Sequence, residues 1–240
     1  MLRIDRLRAV HGLLCAVRGV SFEIAEGQTL ALVGANGAGK TTLLRTIAGV
    51  HPAAGGQIEF EGVDITAMAP HRRVAEGIAL VPEGRRLFPG MTVEENLLVG
   101  ATSGRKGPWN VERVRAALPQ LSRIWKTKAT HLSGGEQQAT AIGRALMANP
   151  RVLLLDEVSL GLSPKAVDGV YHSLQSLKEA HTTIVLVEQD LNRSLAFADR
   201  IICMLEGKIV AAGRPAEMTR EQVMEHYFGA RQMTAAGEPT

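Results

Sequence analysis

The sequence predicts an α/β fold interrupted by a mostly helical insert. Three observations carry this. Short runs rich in Val, Ile, Leu and Phe alternate with helical spacing at both ends of the chain. Within an insert at roughly 84–148, helical spacing dominates from Thr92 to about Met147. A glycine-rich turn, Gly34 to Thr41, joins a strand to a helix.

Taken in order, Leu2–Leu7, Leu13–Ile24 and Thr29–Val33 read as strands, with Glu26-Gly27 punctuating the last two. Lys40–Ile47 reads as a helix, Gln57–Phe60 as a short strand between glycines, and Ile78–Val81 as a strand stopped by Pro82. In the insert, Val93, Leu97 and Leu98 and then Val111, Val114 and Leu118 mark helices, broken by Gly104–Pro108. A helix over Ala139–Met147 follows a Ser133 cap. Alternation then returns: strand Val152–Leu155, helix Pro164–Glu179, strand Thr183–Val187, helix Leu191–Ala198. Ile201–Leu205 and Lys208–Ala212 form a closing hairpin around Glu206-Gly207, Gln222–Phe228 a last helix, and Thr234–Thr240 a frayed tail.

The 240 residues carry 27 Lys+Arg against 24 Asp+Glu, a net charge of +3, and are 45% hydrophobic. These are globular values and exclude wholesale disorder. The basic excess is spread along the chain, so charge implies no nucleic-acid partner. Two cysteines, Cys15 and Cys203, cannot make a disulfide framework, which points to a reduced compartment. No run approaches the ~20 apolar residues that a spanning helix needs, and the N-terminus lacks an apolar leader core. The expectation is a cytoplasmic chain that reaches a membrane only through partners.

Three motifs carry chemistry. Gly34-Ala35-Asn36-Gly37-Ala38-Gly39-Lys40-Thr41 satisfies G-x-x-x-x-G-K-[ST] between a strand and a helix. Its glycines let successive N–H groups converge on phosphate oxygens, and the helix start adds a positive dipole end. Lys40 then reaches the β- and γ-phosphates, and the Thr41 hydroxyl ligates Mg²⁺. Val152–Leu155 followed by Asp156-Glu157 is an apolar strand ending in two carboxylates, fit to hold Mg²⁺ through Asp156 and to take a proton from an attacking water through Glu157. Leu132-Ser133-Gly134-Gly135-Glu136-Gln137-Gln138 places a second set of exposed N–H groups at a helix start. One chain needs one γ-phosphate cradle; two chains facing head to tail would use both.

On these three motifs, in their order along the chain and at their spacing, the chain resembles the nucleotide-binding subunits of ABC transporters, and the resemblance covers essentially its whole length. It implies a RecA-like P-loop NTPase core with an antiparallel β subdomain over 1–83 and 149–240, an inserted helical signature subdomain over 84–148, and a tail 231–240 outside the domain. It implies ATP with Mg²⁺, and a dimer that closes on two nucleotides. Within that family it resembles the ATP-binding subunit of branched-chain amino-acid importers, on Val81-Pro82-Glu83-Gly84-Arg85-Arg86-Leu87-Phe88-Pro89, Met91 to Leu97, Ile142 to Met147, and Leu186-Val187-Glu188-Gln189. Most of the family has glutamine at the position of Glu83 and histidine at that of Gln189; this type resembles the present chain at both.

The resemblance carries roles onto particular residues. Glu157, Gln189 and Lys40 become catalytic. His11 stacks on adenine where the family uses an aromatic ring. Gly34, Asn36, Gly37, Ala38, Gly39, Lys40, Thr41 and Thr42 bind nucleotide, as do Ser133, Gly134, Gly135 and Glu136 toward the opposite subunit. Thr41, Glu83 and Asp156 hold the metal. Ser159 to Leu162 forms the loop that faces the second subunit. Expected partners are integral-membrane permease subunits, a second ABC ATPase subunit and, indirectly, a periplasmic solute-binding protein, with the chain peripheral on the cytoplasmic face of the inner membrane. The expected function is ATP-driven uptake of branched-chain or related hydrophobic amino acids. Importers of urea, amides or aromatic acids, a non-transport ABC ATPase and a nucleotide-gated module are the alternatives.

Overall fold

The computed structural model describes residues 1–218, so the helix expected at Gln222–Phe228 and the frayed tail lie outside the described residues. The chain falls into two compact units, Met1–Met68 with the chain from Val185 onward, and Ala69–Ile184.

The first unit opens with β1 (Leu2–His11) and β2 (Leu14–Ile24), which alternate buried and exposed residues as a half-solvated antiparallel pair must. With β4 (Gly55–Phe60) and the two-residue β5 (Val63–Asp64) they form a sheet of order β2-β1-β4-β5. β3 (Thr29–Val33) is buried along its whole length and leads into helix α1 (Lys40–Ile47). Beside β3 runs the parallel strand β9 (Arg200–Leu205), and β10 (Lys208–Gly213) closes on β9 as the expected hairpin. Strand β8 (Thr183–Val187) lies on the other side of β3, followed by helix α7 (Leu191–Phe197) capped by Asp190. Ala31, Val33, Leu191, Ile201 and Cys203 close this core. Burial pushes the Cys203 thiol up to about 11, so it packs as a neutral apolar group.

The second unit pairs β6 (Ile78–Val81) in parallel with β7 (Val152–Asp156). Every residue of β7 is buried, as the apolar run Val152–Leu155 requires, and Asp156 is buried with it. Helix α2 (Pro70–Glu76), which hydrophobic spacing did not reveal, is short and starts on Pro70. Helices α3 (Val93–Gly100), α4 (Val111–Ala117) and α5 (Gly134–Met147) make the helical part, and α6 (Pro164–Glu179) matches the expected bounds. Both α3 and α5 begin in capping boxes, Thr92 with Glu95 and Ser133 with Glu136. Helix α5 therefore starts five residues before the expected Ala139, because the Ser133 hydroxyl and the Glu136 carboxylate satisfy its first N–H groups. α3 and α5 approach so closely that a Cβ on Gly100 would overlap the Arg144 carbonyl oxygen.

Candidate functional site

The glycine loop between β3 and α1 is gripped from two sides. A Cβ on Gly34 would overlap the Met204 carbonyl oxygen at the end of β9, and one on Gly39 would overlap the Ala16 carbonyl oxygen of β2. Gly39 also stands at φ +97°, where a side chain is strained. The hairpin turn joins the grip: the Gly207 amide donates to the Ala38 carbonyl at 3.0 Å, and the Arg18 amide donates to the Gly207 carbonyl at 2.8 Å. Asn36 and Gly37, by contrast, are exposed, and a Cβ on Gly37 would meet nothing within 4 Å. The loop is thus fixed at both ends and open at its crest, the shape that an oxyanion-filled cradle requires.

Lys40 opens α1 and is buried. Its ammonium donates to the Gly34 carbonyl at 2.6 Å and to the Ala35 carbonyl at 3.0 Å. The cation is therefore held inside the loop, where phosphate oxygens would accept its hydrogen bonds. Thr41 and Thr42 follow on the first turn. The His11 Nε2 lies 3.2 Å from the Thr42 hydroxyl, and its ring stands 4.3 Å from the His51 ring, tilted 40°. His51 in turn contacts the Val10 carbonyl at 3.1 Å. So the structure brings His11 to the loop, exposed and backed by a second imidazole that sequence reasoning did not single out. In the same unit Gln189 follows β8, half-buried, with its amide donating to the Glu188 carboxylate at 3.3 Å. Glu188 is itself buried, and its amide donates to the Leu32 carbonyl at 3.4 Å.

In the second unit, Asp156 ends β7 with no exposed surface. Glu157 follows at φ +49°, a left-handed conformation for a residue with a side chain. Such a conformation costs about 1–3 kcal/mol and concentrates at functional sites. Ser159 to Leu162 form a tight turn, with the Leu162 amide donating to the Ser159 carbonyl at 3.2 Å and Leu160 exposed at its tip. Ser133 caps α5: its hydroxyl and amide donate to the Glu136 carboxylate at 2.7 and 2.8 Å. A Cβ on Gly134 would lie 3.1 Å from Leu162, and one on Gly135 would lie 3.0 Å from Ala166, so both glycines also let the start of α5 pack on the approach to α6. Glu83 is half-buried at the start of the loop that links β6 to α3.

That loop is tied to the helices by two side chains that the sequence did not flag, one buried and one half-buried. Asn96, fully buried in α3, accepts from the Phe88 amide at 2.9 Å and donates to the Phe88 and Thr92 carbonyls at 3.1 and 3.0 Å. Arg144, on α5, donates to the carbonyls of Arg86 and Arg85. Burial disfavours its charge and pushes its pKa down. The available signal was a polar residue on the apolar face of each helix.

A family model for ABC transporters matches residues 17–159, from β2 past the Asp156-Glu157 pair. The chain belongs to the ABC transporter family. It is 40% identical over 232 residues to the high-affinity branched-chain amino acid transport ATP-binding protein BraG of Pseudomonas aeruginosa, covering 95% of this chain and 100% of that one. It is 36% identical over 229 residues to the probable branched-chain amino acid transport ATP-binding protein LivF of Archaeoglobus fulgidus, covering 94% and 97%. Among solved structures it is similar to a dimeric ATP-binding cassette in a post-hydrolysis state with ADP and phosphate bound, with a TM-score of 0.79, 25% identity and coverage of 90% and 99%. This ABC subunit is thus an ATPase with the RecA-like fold expected of it. Among the described residues, no helix is long and apolar enough to cross a membrane.

Proposed function

We propose that this chain energises uptake of branched-chain or related hydrophobic amino acids, acting on separate permease subunits from the cytoplasmic face of the inner membrane. One observation carries the reading. The 40% identity runs the full length of a transport ATP-binding protein with that cargo in its name, and it is not confined to the nucleotide motifs. Residues 1–83 with 149–240 serve as the ATP-binding core and 84–148 as the helical signature subdomain.

In this reading, backbone N–H groups of Gly34, Asn36, Gly37, Ala38 and Gly39 hold the β- and γ-phosphates, with Lys40 turning its ammonium from the loop carbonyls to the phosphate oxygens. Thr41 and Asp156, with Glu83 directly or through water, would hold Mg²⁺; a hydroxyl and carboxylates suit that hard cation. The bound metal would neutralise charge on the phosphates. Glu157 accepts the proton of the attacking water, and Gln189 donates a hydrogen bond to the γ-phosphate without carrying a proton. His11 and Thr42 border the base and α-phosphate side. The N–H groups at Gly134 and Gly135, with Ser133 and Glu136, complete the γ-phosphate cradle of a second ABC ATPase subunit, as the exposed Leu160 at the adjoining turn would suit a subunit contact.

The permease contact is proposed at a cavity of about 500 Å³ in the second unit. Val74, Val99 and Ala145 give it apolar walls, and His71, Arg72 and Arg144 give it basic ones. That chemistry fits a short amphipathic helix with an acidic end.

Two measurements test the reading. The wild-type chain hydrolyses ATP, and Glu157→Gln lowers the rate by roughly 10²–10⁴-fold while ATP binding persists; hydrolysis that survives the substitution rejects Glu157 as base. Reconstituted with the permease subunits and binding protein of a branched-chain amino-acid importer from the same organism, the complex takes up leucine with ATP. Uptake of urea or an aromatic acid in its place moves the assignment to a related importer.

A further inference from the structure

The loop after Glu83 is held in an energetically unfavourable shape by one side chain. Arg85 and Arg86 stand at φ +65° and +47°, two consecutive left-handed residues that both carry long side chains. Such a pair persists only where its surroundings over-determine it. The Arg144 guanidinium supplies that restraint: Nη1 donates to the Arg86 carbonyl at 2.8 Å and Nη2 to the Arg85 carbonyl at 3.0 Å, with the guanidinium carbon 5.7 Å from the centre of the Phe88 ring. A planar fork spans two adjacent carbonyls in a way that an ammonium does not.

The same loop reaches the signature turn. Arg85 Nη1 donates to the Gln137 side-chain oxygen at 3.1 Å, and a Cβ on Gly134 would lie 3.3 Å from Arg85 Nη2. Gln137 donates to the carbonyls of Leu132 at 3.1 Å and Ala129 at 3.3 Å, on the approach to Ser133. At its other side, Arg144 lines the 500 Å³ cavity together with Ala145 and Ala148. Arg144 therefore touches both the cavity and the loop that is bonded to the signature helix.

We infer that Arg144 is a positioning residue that passes occupancy of this cavity to the signature turn, through the carbonyls of Arg85 and Arg86 and then through the Arg85–Gln137 bond. An occupant that draws the guanidinium away frees the left-handed pair to relax, and the Arg85 grip on Gln137 changes with it. Relaxation of that pair would give the loop a second backbone arrangement and make it a two-state element, not a passive tether. The inference rests on the permease reading above and adds the residue that carries the signal.

The test uses the complete transporter in liposomes, with ATP hydrolysis measured with and without the solute-loaded binding protein. Arg144→Met keeps the stem and removes the fork. It lowers the fold-stimulation by about tenfold or more while the permease subunits still co-elute with the chain, so that lost coupling is told apart from lost docking. Arg144→Lys restores part of the stimulation, since one ammonium reaches one carbonyl. Gln137→Met cuts the next link and gives the same loss, and the double variant is no worse than either single one, as expected of two links in one chain. Stimulation of Arg144→Met at the wild-type level overturns the inference, as do losses that multiply in the double variant or an equal fall in the unstimulated rate. Should Arg144→Met fail to assemble, wild-type stimulation of Gln137→Met overturns it. A wild-type complex that shows no stimulation at all sinks the permease reading, and the inference with it, which is a different outcome from an unaffected variant.

Discussion

Lys40, Gly39 and Glu157 each stand where few other residues, or few conformations, would serve. Lys40 buries an ammonium against two loop carbonyls, Gly39 fits a side-chain-free gap under Ala16, and Glu157 adopts a left-handed backbone. The motif spacing revealed Lys40 and the glycines, because their chemistry is local: a loop, a helix start and a cation within eight residues. Ala16, Met204 and Gly207, which grip that loop, were not legible, since nothing in an ordinary strand or turn residue announces a partner more than twenty positions away. Replacement of Gly39 tests the grip. Gly39→Ala forces a methyl group into the Ala16 carbonyl at a positive φ, which costs about 2–4 kcal/mol from overlap and backbone strain together. ATP affinity, measured with a fluorescent analogue, falls by tenfold or more, and the thermal midpoint drops. Wild-type affinity at an unchanged midpoint would show that the loop is not clamped there.

Among the elements, α3 and α5 do the most to place the candidate site. That both helices exist was legible, from the spacing of Val93, Leu97 and Leu98 and from the Ser133 cap; that a capping box starts α5 as early as Gly134 was not. Their function as anchors was not, because it depends on Asn96 and Arg144 reaching backbone carbonyls of a distant loop. Asn96 shows the magnitude. Three of its bonds end on the backbone of Phe88 and Thr92 in a site with no exposure. Truncation to Ala leaves the Phe88 amide without that acceptor and opens a cavity, a loss of about 2–3 kcal/mol. In a chain of this size that lowers the thermal midpoint by roughly 4–12 °C. Calorimetry of Asn96→Ala checks it, and a shift below a degree or two would mean that the loop stands without this anchor. The pH response of α3 has a defined sign. Bonds from the Thr92 amide and hydroxyl hold the Glu95 carboxyl below its ordinary value of 4.5. Its contribution is therefore full above that value and is lost only as pH falls through the lowered one. The short α2 and β5 escaped sequence reading because neither is long enough to show a period.

At the scale of the whole molecule, the alternation of strands and helices and the three motifs made the fold class legible, and the family match and the likeness to a solved cassette agree with it. Assembly is legible only indirectly. The chain carries a glycine loop in one compact unit and a serine-capped helix start in the other, two anion-binding devices of which one nucleotide in one subunit needs only the first. The account holds that the second serves the neighbour's ATP. The direct measurement is a structure of the Glu157→Gln transporter complex with ATP and Mg²⁺, where blocked hydrolysis holds the closed state. The account predicts the γ-phosphate bound to Lys40 of one subunit and within hydrogen-bond distance of the opposite subunit's signature turn, with Ser133 of this chain meeting its neighbour's nucleotide in the same way. A nucleotide bound by its own loop alone, with Ser133 and Gly135 turned to solvent, would contradict it.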